Sequence, residues 1–331
     1  MNYINGTANW GIIGAGNVCE VKSGPAFNKV PDSRLVAIMR RNESKAADYA
    51  TRHQVPKYFT DASALVNDPD INAVYIATPP AFHKNYALMA IEAGKPVYIE
   101  KPVTLNARDC EILIEASAKH NVPVSVAHYR RRLSLFLEIK ELIRKGKIGE
   151  VQLIFLRLLQ SPAHNLIAAT EEFWRVDPAL SGGGLFHDLA PHQLDILYWL
   201  FGPPSRFNGF SFNQGNRYNA PDTTYLQATF QENIYLDGFW SFNVNEDCIE
   251  DRCEILGEKG KLCFSFFRNP ILELQTESGI EKFELPYPQH VQQPLIADVV
   301  QYFKGNGSNP SPPEDALWTM KMMDSTLKLL P

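Results

Sequence analysis

The sequence predicts an α/β protein in two parts: an N-terminal doubly wound parallel sheet, then an α+β region with a large, open, mostly antiparallel sheet. Three observations carry this. Short apolar runs alternate with helical periodicity over residues 10–130, which reads as a chain of βα units. A glycine-rich turn, Gly14-Ala15-Gly16, closes the first of those runs. From about 207 to 285, β-type runs follow one another with only turns between them, the pattern of an antiparallel sheet. At 331 residues the chain is also too long for one ordinary core.

Residues 10–13 read as the first strand and 35–39 as the second. A helix over 43–53 follows, with Ala46, Ala47 and Ala50 on one side. The apolar run 73–77 is a buried strand ending in Thr78-Pro79-Pro80. The next helix carries Tyr86, Leu88, Met89 and Ile91 and is capped by Gly94. Residues 97–99 and 122–127 are further strands, separated by an amphipathic helix over 106–120. Beyond them come a helix over 133–145, a long apolar strand over 151–159, and a loop leading into a glycine-initiated helix near 185. Strands are expected at 222–230, 234–242, 248–256, 261–267 and 271–276. Two closing helices, near 291–304 and 314–329, flank a Gly/Pro/Ser-rich linker at 306–313.

The composition, 45% hydrophobic and 21% charged, is that of a globular protein, and the net charge of -5 argues against a nucleic-acid binder. The basic run Arg130-Arg131-Arg132 reads as a solvated or interdomain face. No apolar stretch of about 18 residues is present to span a membrane, and the N-terminus lacks the basic and apolar regions of a secretory signal. Five scattered cysteines with no C-x-x-C pair suggest reduced thiols. Together these point to a cytoplasmic protein.

Two groups of residues carry chemistry. Gly14-Ala15-Gly16-Asn17-Val18-Cys19 is G-x-G-x-x-G/A with cysteine in the last place, sited on the first strand-to-helix turn, where a pyrophosphate can approach the backbone. Gly14, Gly16, Asn17 and Val18 are therefore expected at a dinucleotide. The second strand ends in Met39-Arg40-Arg41-Asn42, with no carboxylate for a ribose 2′-hydroxyl and two guanidiniums suited to a 2′-phosphate. Arg40 and Arg41 thus favour NADP, with NAD as the alternative. The second group is Gly182-Gly183-Gly184 through Asp188, His192 and Asp195: on a helix, Asp188 and His192 share one face, and a carboxylate beside an imidazole can move a proton. Glu100-Lys101-Pro102 adds a cation at the C-terminal edge of the parallel sheet, where ligands of such folds bind.

These segments, with Ala77-Thr78-Pro79-Pro80, His83 and 173–178, resemble the glucose-fructose oxidoreductase/inositol dehydrogenase (Gfo/Idh/MocA) family along nearly the whole chain. The resemblance implies a dinucleotide-binding domain over 1–130 and a substrate-binding and oligomerisation domain over 131–331, with the closing helices free to pack back on the first, and an active site between the two. It implies Lys101, Asp188 and His192 around the reacting carbon. It also implies cofactor contacts from Thr78, Pro79, Pro80, His83, Glu100, Lys101, Trp174 and Arg175. Cys19 departs from the third glycine of the loop. The expected activity is hydride transfer between NADP(H) and a sugar, polyol or related carbonyl compound, by a homodimer or homotetramer formed through the C-terminal sheet. Candidate substrate contacts are Tyr129, His164, Asn165 and His187. Alternatives are a nucleotide-retaining glycosidase of the same fold and a non-catalytic nucleotide sensor. His187-Asp188 also looks like the start of a metal-dependent phosphohydrolase motif, but that fold is all-helical, so no metal is expected.

Overall fold

The computed structural model describes residues 1–162 and 174–327; His164, Asn165 and Phe173 lie outside the described residues. The chain divides into two compact units, Met1–Tyr129 with Pro288–Leu317, and Arg130–Tyr287 with the C-terminal stretch from Trp318.

The first unit holds β1 (Ala8–Ile13), α1 (Asn17–Val21), α2 (Gly24–Phe27), β2 (Ser33–Met39), α3 (Glu43–Arg52), β3 (Lys57–Phe59), α4 (Ala62–Val66), β4 (Ala73–Ile76), α5 (His83–Glu92), β5 (Val97–Ile99), α6 (Ala107–His120) and β6 (Val124–Val126). All five strand pairs are parallel, in the order β3-β2-β1-β4-β5-β6. The order reverses between β1 and β4, so the crevice beyond their C-terminal ends is the place where a doubly wound sheet takes its ligand. Strands buried on both faces explain the unbroken apolar runs, and β4 and β5 are buried throughout. One aromatic cluster fills the core: Trp10 packs on Phe27 and Phe303 with centroids at 4.8 and 5.7 Å, and Tyr75 stacks on Tyr98 at 5.2 Å.

The second unit opens with α7 (Ser134–Arg144), β7 (Val151–Leu159), α8 (Pro178–Ser181) and α9 (Leu185–Phe201). It continues with β8 (Pro204–Phe212), β9 (Thr223–Phe230), β10 (Ile234–Ser241), β11 (Glu250–Gly257), β12 (Gly260–Phe264), β13 (Ile271–Thr276) and β14 (Gly279–Glu284). The eight strands run β14-β13-β12-β11-β7-β10-β9-β8, antiparallel except where β7 meets β10. Burial alternates along β10, so one face is covered and the other is open. The covered face receives α9, with Phe186 edge-on to Trp240 at 5.0 Å and Trp240 Nε1 donating to Gln193 Oε1 at 2.7 Å. The last helices are α10 (Gln293–Phe303), whose Phe303 belongs to the first unit's aromatic cluster, and α11 (Pro313–Asp324).

Three strands exceed the sequence reading. β3 is only three residues long; β8 begins at Pro204 and contains Gly209; β14 is almost wholly exposed, so none offers a clear apolar alternation. The basic run also departs from expectation. Arg130 and Arg131 are buried, 7% and 2% exposed, because each has a dedicated partner. Arg130 Nη1 donates to the Phe266 carbonyl at 2.5 Å with its guanidinium over the Phe267 ring, and Arg131 pairs with Asp195. No helix among the described residues is long and apolar enough to cross a membrane.

Candidate active site

The phosphate loop lies at the β1/β4 reversal. Gly14 adopts φ +88°, and a Cβ there would stand 2.6 Å from Thr78 Cγ2 and 2.8 Å from Thr78 N. The turn after β1 thus presses on the turn after β4, and only glycine permits it. At Gly16 the situation is reversed: a Cβ would meet nothing nearer than the Gly14 carbonyl at 3.8 Å. That open side, with Asn17 exposed and Val18 half-buried beyond it, leaves room for a pyrophosphate against the backbone. Thr78 Oγ1 is buried with no hydrogen-bond partner among the described residues, a donor waiting beside the same turn. The residues present fit a dinucleotide.

Cys19, in the third glycine's place, is fully buried, and burial pushes its thiol up to about 12, so it stays neutral. Its carbonyl accepts the Tyr49 hydroxyl at 2.9 Å. At the end of β2, Arg40 is half-buried and Arg41 is exposed with its guanidinium 5.4 Å from the Phe82 centroid. Neither forms an ion pair among the described residues.

The turns after β4 and β5 carry the remaining first-unit candidates. Thr78 and Pro79 are half-buried, Pro80 is buried and Lys101 is half-buried. His83 and Glu100 turn inward. The His83 ring is fully buried, with Nδ1 2.9 Å from the Pro102 carbonyl and Nε2 2.7 Å from the Thr78 carbonyl. Glu100 Oε1 accepts from Tyr75 Oη at 2.5 Å and from Gln292 Nε2 at 2.6 Å. Gln292, far along the chain, had no sequence signal. Tyr129 is buried, 6% exposed.

In the second unit, α9 does what the i, i+4 spacing predicts: Asp188 and His192 occupy successive turns of one helix. Arg175 Nε donates to Asp188 Oδ2 at 3.0 Å, and its guanidinium stacks 4.5 Å from the Trp174 ring. The resemblance implies cofactor contacts for Trp174 and Arg175; Arg175 also reaches the catalytic candidate Asp188, a contact with no signature in spacing. His192 is 6% exposed, with Phe267 edge-on at 6.0 Å.

The glycines before α9 have a local reason as well. A Cβ at Gly183 would fall 2.2 Å from His187 Nδ1 and Cε1, so glycine is what lets that imidazole lie against the turn. Burial pushes His187 down to about 4, the Gly183 backbone opposing it, and neither ring nitrogen has a well-formed hydrogen bond among the described residues. Among the described residues no cluster of three His, Cys, Asp or Glu side chains could hold a metal ion.

Comparison with known proteins agrees with this geometry. Residues 8–128 match the profile described as "Oxidoreductase family, NAD-binding Rossmann fold", and residues 136–263 match the "GFO/IDH/MocA C-terminal domain". An oxidoreductase of Formosa agariphila is 46% identical over 316 residues, covering 96% of this chain and 97% of its own. The chain belongs to the Gfo/Idh/MocA oxidoreductases. A more distant relative of this chain, 1,5-anhydro-D-fructose reductase of Ensifer adhaerens, is 24% identical over 94% of this chain and 92% of its own. Among solved structures, an oxidoreductase from Agrobacterium radiobacter in complex with NAD+, L-tartaric acid and magnesium superposes with a TM-score of 0.82 at 17% identity. It covers 96% of this chain and 95% of that one, a likeness of fold. As a Gfo/Idh/MocA protein, the chain is an oxidoreductase with an NAD-binding Rossmann fold.

Proposed function

We propose that this oxidoreductase prefers NADP(H) and acts on a CH–OH group, or the corresponding carbonyl, of a sugar or polyol. The observation that carries the cofactor preference is the pair Arg40-Arg41 at the end of β2, without an ion-pair partner among the described residues and without a carboxylate in the place where a ribose 2′-hydroxyl would be held. A guanidinium fork matches a 2′-phosphate in shape and charge. The turn Gly14–Val18 would take the pyrophosphate, with Thr78, Pro79, Pro80 and Trp174 as further contacts. Bound there, the nicotinamide supplies the carbon that gives or takes hydride.

The chain supplies the rest. Lys101 holds and polarises the reacting oxygen, an ammonium being a strong donor to developing oxyanion charge. His192 moves the proton on that oxygen, since an imidazole can take up a proton on one nitrogen and give it back. Asp188, neutralised on one side by Arg175, supports the charge that His192 acquires. The uncharged, buried ring of His187, next to Asp188 on α9 and with both nitrogens lacking a partner among the described residues, suits a hydroxyl better than an anion. The name of the Ensifer adhaerens relative points the same way.

The open face of the second unit's sheet supports assembly as a homodimer or homotetramer. Leu153, Tyr235 and Phe239 are exposed there, and Leu153 and Tyr235 border a shallow cavity of 340 Å³ with Phe155 and Phe207. Replacing Tyr235 and Phe239 together by Lys should yield monomers in light scattering; an unchanged mass would locate the interface elsewhere.

The deciding experiment is a fluorescence titration with NADPH and NADH, followed by turnover on a panel of sugars and polyols. NADPH should bind at least about tenfold tighter, the scale of one lost charge-assisted contact. A preference for NADH refutes the Arg40/Arg41 reading.

A further inference from the structure

Lys101 is anchored on both sides by residues that lie outside its own motif. On one side stands Glu100, buried, with Oε1 accepting from Tyr75 and from Gln292. Gln292 is 1% exposed at the N-cap of α10, and its own Oε1 accepts the Tyr98 hydroxyl at 3.1 Å. The Gln292 amide therefore joins Glu100 and Tyr98, the third and fifth members of a buried chain, Ser23–Tyr75–Glu100–Gln292–Tyr98, that runs beneath the turn. On the other side the Pro102 carbonyl meets His83 Nδ1, and the same ring reaches the Thr78 carbonyl through Nε2. His83 thus ties the turn after β5 to the turn after β4. Carbonyls only accept, so a neutral ring serves one of them at a time and an imidazolium serves both.

A lysine needs such support more than most catalytic groups. Its ammonium rides on a flexible four-carbon stem, so precision has to come from the backbone. Misplacing a reacting group by about 1 Å can cost about a hundredfold in rate.

We propose that Gln292 and His83 are positioning residues for Lys101. They fix the main chain on both sides of it, and their side chains, like that of Glu100, touch neither nucleotide nor substrate. This replaces the direct cofactor contacts that the family resemblance implies for the His83 and Glu100 side chains, and it rests on the role given to Lys101 above.

The test uses Gln292→Met, which keeps length and loses the amide, and two variants at His83. His83→Phe keeps the ring and loses both nitrogens, and His83→Asn restores a donor toward Pro102 alone. Each is first shown to be folded by circular dichroism and thermal melting. Lys101 in nucleotide-free protein is then labelled by reductive methylation, and its rate is compared by peptide mass spectrometry with exposed Lys119 and Lys147. Kinetics and NADPH titration follow. Gln292→Met and His83→Phe should change the relative labelling of Lys101 at least about threefold and lower kcat about ten- to a hundredfold, with NADPH affinity within about threefold. His83→Asn should recover part of both. Unchanged labelling in a folded variant overturns the proposal, and so does a loss of kcat with labelling unchanged, because the two residues would then act elsewhere. Labelling decides the question even if the wild type turns over no sugar, an outcome that would count against the proposed function instead. Should one variant not fold, the other position carries the same test.

Discussion

Arg131 and Asp195 form a bidentate ion pair, Nη2 to Oδ1 at 2.6 Å and Nε to Oδ2 at 3.0 Å, with side chains 2% and 1% exposed. It ties the start of the second unit to α9, one turn beyond His192. Removing one partner of a buried pair strands the other charge, so Asp195→Asn should destabilise the protein by about 3–5 kcal/mol. The double variant Arg131→Met/Asp195→Leu, which removes both charges, should regain most of that. Urea denaturation of the three proteins measures it; a loss below about 1 kcal/mol in Asp195→Asn would mean that the pair contributes little to the fold.

Lys101→Ala and His192→Ala each remove a group that the proposed mechanism needs only in the transition state. Each should lower kcat by about 10²–10⁴ while NADPH affinity stays within several-fold. Steady-state kinetics beside the same fluorescence titration separates the two effects. Near wild-type turnover in either variant removes that residue from the mechanism.

The Arg175–Asp188 contact should matter more for rate than for stability, since both side chains keep some solvent access, 13% and 12%. Arg175→Met is expected to lower kcat about tenfold with only a small change in melting temperature. Arg175→Lys keeps the charge but loses the planar fork, and should fall between. Arg175→Met with unaltered kcat would show that Asp188 works without its cation.

His187 makes stability pH-dependent. Its folded-state value, about 4, lies below the ordinary 6.5, so the unfolded chain binds the proton first as pH falls. No cost exists above about pH 6.5. Between 6.5 and 4 stability should decline, by at most about 3 kcal/mol from this residue. Buried His83, also lowered by desolvation, acts in the same direction. Glu20, held near 2 chiefly by hydrogen bonds from Arg52, has the opposite shift; its contribution is full above about 4.5 and is lost only as pH drops toward 2. Denaturation midpoints measured from pH 7 to 4.5 should therefore fall, and His187→Asn should flatten the curve. An equally steep curve in that variant assigns the loss to other groups.

Much of the architecture was legible because burial on two faces, burial on one face and helical amphipathicity write different periodicities. The runs at 73–76 and 97–99 announce a parallel sheet, and the alternation in β10 announces an open one. Local chemistry was legible for a similar reason. The Gly14–Val18 turn and the Asp188/His192 spacing are short-range features, and a glycine turn or one helical turn looks the same in any context.

What depends on partners distant in the chain was not. Nothing in Arg130-Arg131-Arg132 says that two of the three are buried, because their partners, Asp195 and the Phe266 carbonyl, lie 64 and 136 residues away. Nothing in Gln292 says that it holds Glu100, and nothing in Arg175 says that it reaches Asp188. Local patterning was enough to place most strands and helices, β3, β8 and β14 apart, and the glycine turn after β1. The folded chain was needed to show which polar side chains are consumed in holding the turns and α9, because a buried charge or amide is placed by the partner that satisfies it.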